Sequence, residues 1–414
     1  MNSLVSLKRS TSVFGTPHQL PSSKSISNRS LILKALAGNP TSLSNLSSAR
    51  DTRLMEALVN SDDHLIDVMD AGTTMRFLTA YFSITGKKKL ITGTDRMKQR
   101  PIGLLVDALR KLGAEVIYKD VKGFPPLETL GFTRQMTDRI EIPGNVSSQY
   151  ISALMMVAPT LPQGLSIKLE GEVGSIPYIK MTAALMKDFG AEVQMDFSKN
   201  EIIVKSGGYK PSNVTVEADW SAASYWFSFV GLAKKAELTL TNVTQQSLQG
   251  DRAIVEIMDR LGVKSEFSGM TLKLSKKDSN SHLIYDFKDC PDLAQTVIPF
   301  CAAKGITCDL RGLESLPIKE TDRIAALQNE IKKIGAELTE PVKGNWKVTP
   351  GRIPISTIKI ETYHDHRMAM GFAPWATLAD LEIEALEVVN KSYPGFWEDV
   401  KSVGIEVTSN ETIL

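Results

Sequence analysis

The chain has 414 residues, 42% of them apolar and 23% charged, which is ordinary for a globular protein and long enough for two or three buried cores. Its 48 Lys and Arg balance 47 Asp and Glu, a formal charge of +1. Nucleic-acid and membrane-surface binders normally carry a positive excess, so neither partner is expected, and any anionic ligand must be met by cations gathered locally. No run approaches the roughly 18 apolar residues of a membrane span; the longest candidate, Ile151 to Leu161, is broken by Ser152, Pro159 and Thr160. The first residues lack the apolar stretch of a signal peptide. Cys290, Cys301 and Cys308 form no CxxC pair and read as buried thiols in a reducing compartment. The expectation is a cytoplasmic protein.

In chain order, the first marked element is a helix from about Lys24, entered through Pro21-Ser-Ser and stopped by Gly38. Lys24 and Ser25 fall in its first turn, with Arg29 one turn on from Ser25 along the same face. A helix start offers free backbone N–H groups and partial positive charge, which suits a phosphate or carboxylate. The same design returns at Asp70-Ala-Gly72-Thr73-Thr74 and, before an apolar run, at Ser147-Ser148-Gln149. It recurs at Asp219-Trp-Ser, Pro291-Asp292-Leu, Lys319-Glu320-Thr-Asp322-Arg323 and Asp365-His366-Arg367. Between the first two and the third, Arg96-Met-Lys98-Gln-Arg100 places three cations in five residues. Taken singly, each motif is better explained by helix capping or a solvated charged face. Seven in one chain favour a shared site.

Amphipathic stretches each end in a glycine followed by strand-like alternation, at Gly113, Gly190, Gly262, Gly335 and Gly404. Each glycine reads as a left-handed helix stop, and the spacing of about 70 residues implies close to six repeated α/β units. They could pair as two lobes of three, with a boundary near Val216 to Asp219. No P-loop, GxGxxG, GxSxG or HExxH occurs, so no cofactor is expected. Tyr363-His364-Asp365-His366 could be read as a metal clamp on a strand, but no further His or Cys cluster completes it, and no metal is expected.

Six stretches together resemble the EPSP synthase family of enolpyruvyl transferases: LPSSKSISNR (20–29), AGTTMRFLTA (71–80), RMKQRPIGLLVDALRKLGAEV (96–116), SSQYISALM (147–155), KETDRIAAL (319–327) and DHRMAMGF (365–372). The resemblance runs nearly end to end. It implies an α/β fold of two lobes, each of three βαβαββ units, closing over an interlobe cleft. Residues 1–19 and 218–414 would form one lobe and 20–217 the other. The implied substrates are phosphoenolpyruvate and shikimate 3-phosphate, handled by a monomer.

For shikimate 3-phosphate the resemblance implies Lys24, Ser25, Arg29, Ser147, Ser148, Gln149, Ser175, Tyr178, Asp292 and Lys319. For phosphoenolpyruvate it implies Lys24, Gly72, Arg100, Gln149, Arg323, Arg367 and Lys391. Each phosphate brings about −1.5 to −2 and each substrate a carboxylate, roughly −5 to −6 in all, a comparable count to the seven cations among these residues. The reaction would be an addition followed by an elimination, with Asp292 taking the hydroxyl proton, Glu320 protonating C3 of phosphoenolpyruvate, and Lys24 stabilising the bridging oxygen.

Some positions depart from the family pattern. Asp70 stands where many members have Asn, Ser315 replaces an Asn that contacts the sugar phosphate, and the region from Asp51 to Asp70 is short by a strand pair. Three other readings stay open here. They are enolpyruvyl transfer to UDP-N-acetylglucosamine, which would need a loop cysteine, a silent phosphometabolite-binding protein on the same fold, and a metal-dependent phosphoesterase built on His364 and His366.

Overall fold

The structure, a computed structural model, describes residues 3–18, 20–38 and 41–410. It divides into two compact units. The first comprises Met1–Ser23, Ser48–Arg50 and Glu217–Leu414, and the second comprises Lys24–Ser47 and Asp51–Val216.

One topology recurs throughout. In the second unit, strand Leu65–Asp67 leads through helix Gly72–Ile84 to the parallel strand Lys89–Thr92. Helix Gly103–Leu112 and the hairpin Ala114–Tyr118/Leu127–Phe132 then follow. The fourth strand lies between the second and the third, antiparallel to both. Parallel neighbours need a crossover, and the helix supplies it; antiparallel neighbours need only a turn. The set Arg139–Pro143, Leu165–Glu170, Val193–Asp196 and Glu201–Val204 repeats this order. The unit's remaining sheet has two strands, Asn213–Thr215 parallel to Ser42–Ser44. Helix Arg50–Val59 runs almost directly into Leu65–Asp67, with no closing hairpin. The shortening between Asp51 and Asp70 takes this form.

The first unit has three full sheets. One is built from Ser12–Gly15, Lys235–Thr241, Val263–Ser268 and Thr271–Lys276, so that the second unit is inserted in the sequence between its first two strands. The next comprises His282–Asp286, Thr307–Arg311, Glu337–Val342 and Asn345–Thr349. In the last, Ile358–Ile360, Leu381–Glu384 and Val407–Ser409 are joined in the fourth-strand position by Leu4–Leu7 from the start of the chain.

All five repeat glycines have positive φ, from 73° at Gly335 to 108° at Gly113. At Gly113 the requirement is double, since an added Cβ would also come within 2.3 Å of the Arg134 carbonyl oxygen.

The core decides where polar chemistry can stand. Every residue of helix Gly72–Ile84 is buried except Thr73, every residue of Ser148–Val157 except Gln149, and every residue of Trp220–Leu232 except Ser221. A helix apolar on all faces must be enclosed by its neighbours, so each of these three reaches its surroundings only through its first turn. Gly113→Ala should lower the unfolding free energy by about 2 kcal/mol, read as a lower urea midpoint. Gly335→Ala, where nothing lies within 4 Å of the added Cβ, should cost about half as much.

Candidate active site

All seven motifs stand at helix starts: Lys24–Ala37, Gly72–Ile84, Ser148–Val157, Trp220–Leu232, the short turn Pro291–Leu293 leading into Ala294–Lys304, Arg323–Lys332 and His366–Phe372. Asp219, Asp322 and Asp365 cap their helices by accepting from the backbone N–H of Ala222, Ala325 and Arg367, and Ser147 accepts from Gln149. These caps satisfy donors that the first helical turn leaves open.

In the second unit, Arg29 is the organising side chain. It is 2% exposed and donates from Nε to Thr182 Oγ1 at 2.7 Å, from Nη1 to the Ser25 carbonyl at 3.0 Å and from Nη2 to Ser152 Oγ at 3.2 Å. Its guanidinium lies 5.3 Å from the Phe77 ring centroid and 5.9 Å from that of Tyr178. These contacts come from the early turns of four helices, which sets their starts at one end of the unit. Gln149 donates to Thr73 Oγ1 at 3.0 Å, tying two of those first turns together. Ser148 is buried beside it. Ser175 takes a left-handed conformation, φ 55°, directly before helix Ile176–Asp188, which carries Tyr178 in its first turn.

Charge is not balanced here. Lys24 pairs with Asp51 Oδ2 at 3.0 Å. Arg29, however, has only neutral acceptors among the described residues, and burial lowers its pKa to about 10. Arg100 is 7% exposed, and its Nε and Nη1 have no hydrogen-bond partner among the described residues. It lies over Gly72 so closely that a Cβ there would meet Nη2 at 2.6 Å. Glycine at this helix start is what admits the guanidinium. The result is a buried cation beside a helix start that no side chain caps, an arrangement that favours an anion.

In the first unit the predicted residues form one ion-pair network. Arg323, 1% exposed, donates from Nε to Asp365 Oδ2 at 2.8 Å, from Nη1 to Asp292 Oδ1 at 2.8 Å and from Nη2 to Glu320 Oε2 at 2.9 Å. Arg367 Nη2 donates to Asp292 Oδ2 at 2.9 Å and to Ser221 Oγ at 3.2 Å, while its Nη1 donates to the Tyr225 hydroxyl at 3.4 Å. Lys319 Nζ lies 3.5 Å from Asp292 Oδ1, and Lys391 Nζ 3.4 Å from Glu320 Oε1. Burial pushes the Asp292 carboxyl up, but Arg367, Lys319 and Arg323 outweigh it and hold the group far below the usual range. Burial likewise opposes the charge on Arg323, and Asp365, Glu320 and Asp292 more than restore it.

Thus Lys24, Ser25, Arg29, Gly72, Arg100, Ser147, Ser148, Gln149, Ser175 and Tyr178 belong to the second unit, and Asp292, Lys319, Glu320, Arg323, Arg367 and Lys391 to the first. Counting cations alone overstated the free positive charge of the first unit, where acids sit against every one of them. Tyr225 and Asp251 carried no sequence signal strong enough to select them, and Ser221 lay inside the Asp219-Trp-Ser motif without being singled out. Ser221 donates to Asp251 Oδ2, Tyr225 meets Arg367, and the Asp251 carboxyl is raised to about 7 by burial and then by the Asp292 charge. The Gly250-Asp251 start of the turn Gly250–Ala253 was the available clue.

Two rival readings lose their geometry. His364 is exposed and His366 buried, because a helix rather than a strand begins at His366, so they do not share a face. Among the described residues no group of three or more His, Cys, Asp and Glu could hold a metal. All three cysteines are buried, and burial raises the Cys290 thiol to about 12, far from a reactive loop thiolate.

Asp251 also makes a pH prediction. It stays protonated in the fold to about pH 7 but ionises near pH 4 when unfolded. Between those values the fold binds more protons, so this group makes stability fall as pH rises from about 4 to about 7. Asp251→Asn should flatten that slope in urea melts taken across the range.

Known proteins resemble this chain over most of its length. A family model described as EPSP synthase (3-phosphoshikimate 1-carboxyvinyltransferase) matches residues 57–400. The 3-phosphoshikimate 1-carboxyvinyltransferase of Bacteroides fragilis is 46% identical over 401 residues, 95% of this chain and 96% of the relative. The protein of the same description from Shewanella sp. is 37% identical over 416 residues, 93% of this chain and 96% of its own. A solved structure of EPSP synthase from Acinetobacter baumannii superposes with a TM-score of 0.78 at 20% identity, covering 99% of this chain and 100% of that one; it shows the same fold. The chain belongs to the EPSP synthase (3-phosphoshikimate 1-carboxyvinyltransferase) family.

Proposed function

We propose that this protein transfers the enolpyruvyl group of phosphoenolpyruvate to the 5-hydroxyl of shikimate 3-phosphate and releases inorganic phosphate. The observation that carries the reading is the pair of buried arginines in the second unit, Arg29 and Arg100, which have no carboxylate to neutralise them among the described residues. A buried cation of this kind is costly alone and favours an anion of matching geometry. From that unit, Lys24, Ser25, Arg29, Ser147, Ser148, Gln149, Ser175 and Tyr178 contact shikimate 3-phosphate. Gly72 and Arg100 receive phosphoenolpyruvate, with Lys24 and Gln149 assisting. From the first unit, Asp292 and Lys319 act toward the sugar phosphate, and Arg367 and Lys391 toward phosphoenolpyruvate. Arg323, saturated by three carboxylates, serves that ligand by fixing Asp292 and Glu320.

The chemistry follows from the same contacts. The 5-hydroxyl oxygen bonds to C2 of phosphoenolpyruvate, Asp292 takes its proton, and Glu320 delivers a proton to C3. Glu320, now a carboxylate, then removes a C3 proton while the C2–O bond to phosphate breaks, and Asp292 returns its proton to the departing phosphate. Asp292 is a weak base while Arg367 and Lys319 hold its oxygens. An anionic substrate competes for those cations, and as it draws them off the carboxylate gains basicity when it is needed. Lys24 stabilises charge on the bridging oxygen. The protein works in the cytoplasm as a monomer without cofactor or metal.

A phosphate-release assay tests the reading. Release should require both phosphoenolpyruvate and shikimate 3-phosphate, and UDP-N-acetylglucosamine should not replace the acceptor. Asp292→Asn and Glu320→Gln should each lower kcat by about 100- to 10,000-fold with KM values within a few-fold; near-full turnover in Glu320→Gln would remove its acid role. Arg100→Met should raise the KM for phosphoenolpyruvate more than about 100-fold, yet leave the unliganded protein as stable or more stable by about 1 kcal/mol, because it removes an uncompensated buried charge.

A further inference from the structure

The segment that delivers Arg367 is held in an unfavourable conformation by a carboxylate with no part in the chemistry above. Tyr363 and His364 are consecutive non-glycine residues in the left-handed region, φ 53° and 57°. Side chains rarely adopt that region, and it persists only where the surroundings over-determine it. The surroundings here are one face of helix Arg323–Lys332. Arg323 and Glu330 stand seven residues apart, two turns along that face. Arg323 grips the far end of the segment through Asp365 Oδ2 at 2.8 Å.

Glu330 grips the near end. It is 1% exposed. Its Oε2 accepts from the backbone N–H of Glu361 at 3.1 Å and from Lys333 Nζ at 2.8 Å, and its Oε1 accepts from the Tyr363 hydroxyl at 2.9 Å. Lys333 Nζ also donates to the Lys359 carbonyl at 2.8 Å, so the acid and its counter-ion together bind the strand end and the turn. The backbone N–H of Asp365 donates to the Thr362 carbonyl at 2.8 Å and closes the turn. Asp365 then caps the helix that carries Arg367, whose guanidinium holds Asp292, Ser221 and Tyr225.

We infer that Glu330 is a positioning residue for this reaction, acting through the Tyr363 hydroxyl and the Glu361 amide to hold the left-handed Tyr363–His364 turn that aims Arg367. It touches no substrate. The inference rests on the proposed function for the role of Arg367, but not for the clamp itself.

The test compares wild type with Glu330→Ala, Glu330→Gln and Tyr363→Phe in steady-state assays, together with amide hydrogen exchange over Thr362 to Met368. Glu330→Ala should raise the KM for phosphoenolpyruvate about tenfold and leave that for shikimate 3-phosphate within about twofold, since small misplacements of a binding group are costly. Glu330→Gln, which keeps an acceptor oxygen, should recover to within about threefold of wild type, with Tyr363→Phe between the two. The Asp365 and Arg367 amides should exchange at least about tenfold faster in Glu330→Ala. A lower melting temperature with unchanged KM values and unchanged local exchange would make Glu330 merely structural and overturn the inference. If Glu330→Ala does not fold, wild-type KM and exchange in Tyr363→Phe overturn it equally. Absence of transfer by the wild type would instead remove the functional reading, and the exchange result would still decide the clamp.

Discussion

Two buried arginines without acidic partners among the described residues, Arg29 and Arg100, are the constraint around which the second unit is arranged. An isolated buried charge is costly, and the fold limits that cost by placing both where helix starts meet. Arg29 is wrapped by hydroxyls, a carbonyl and two ring faces, which solvate it without cancelling its charge. Arg100 lies against Gly72, where a side chain could not fit. The first unit solves the opposite problem. Its cations are matched by Asp292, Glu320 and Asp365, so they are organised before any ligand arrives. One repeat thus carries two electrostatic designs, buried cations left without described acids and cations closed into an ion-pair network.

The repeat makes both possible by the same means. Parallel strands adjacent in the sequence are joined by a helical crossover, and three of the helices are buried on nearly every face. Polar function is then confined to first turns, where backbone N–H groups are unpaired in any case. The topology tolerates unusual chain routing. The strand Leu4–Leu7 completes a sheet whose other strands come from the far end of the sequence, and the two-stranded sheet Ser42–Ser44/Asn213–Thr215 dispenses with a hairpin. Neither change disturbs the helix starts.

Much of this was legible in the sequence because it rests on local rules. A glycine that must be left-handed and a polar cap before an apolar run are short-range signals, and they placed the five repeat stops and the seven helix starts. The resemblance to a known family added the pairing of residues with ligands. What escaped was long-range. Asp251 and Ser221 matter because a distant turn brings them to Arg367, and Glu330 because its partners lie some thirty residues on. A charge count along the chain could enumerate cations but not see which acids would fold against them, so it treated Arg323 as a free hand when all of its nitrogens are engaged. The His364/His366 pair, which no further cluster completed in the sequence, could share a face only on a strand, and a helix begins at His366.

The claim that the second unit is an incomplete anion site is tested most directly by the unfolding midpoint of the unliganded protein against that with saturating shikimate 3-phosphate. The account predicts a clear upward shift, equivalent to about 2.7 kcal/mol when ligand stands 100-fold above its dissociation constant, with a far smaller effect from inorganic phosphate at the same concentration. An unchanged midpoint at millimolar shikimate 3-phosphate would contradict it.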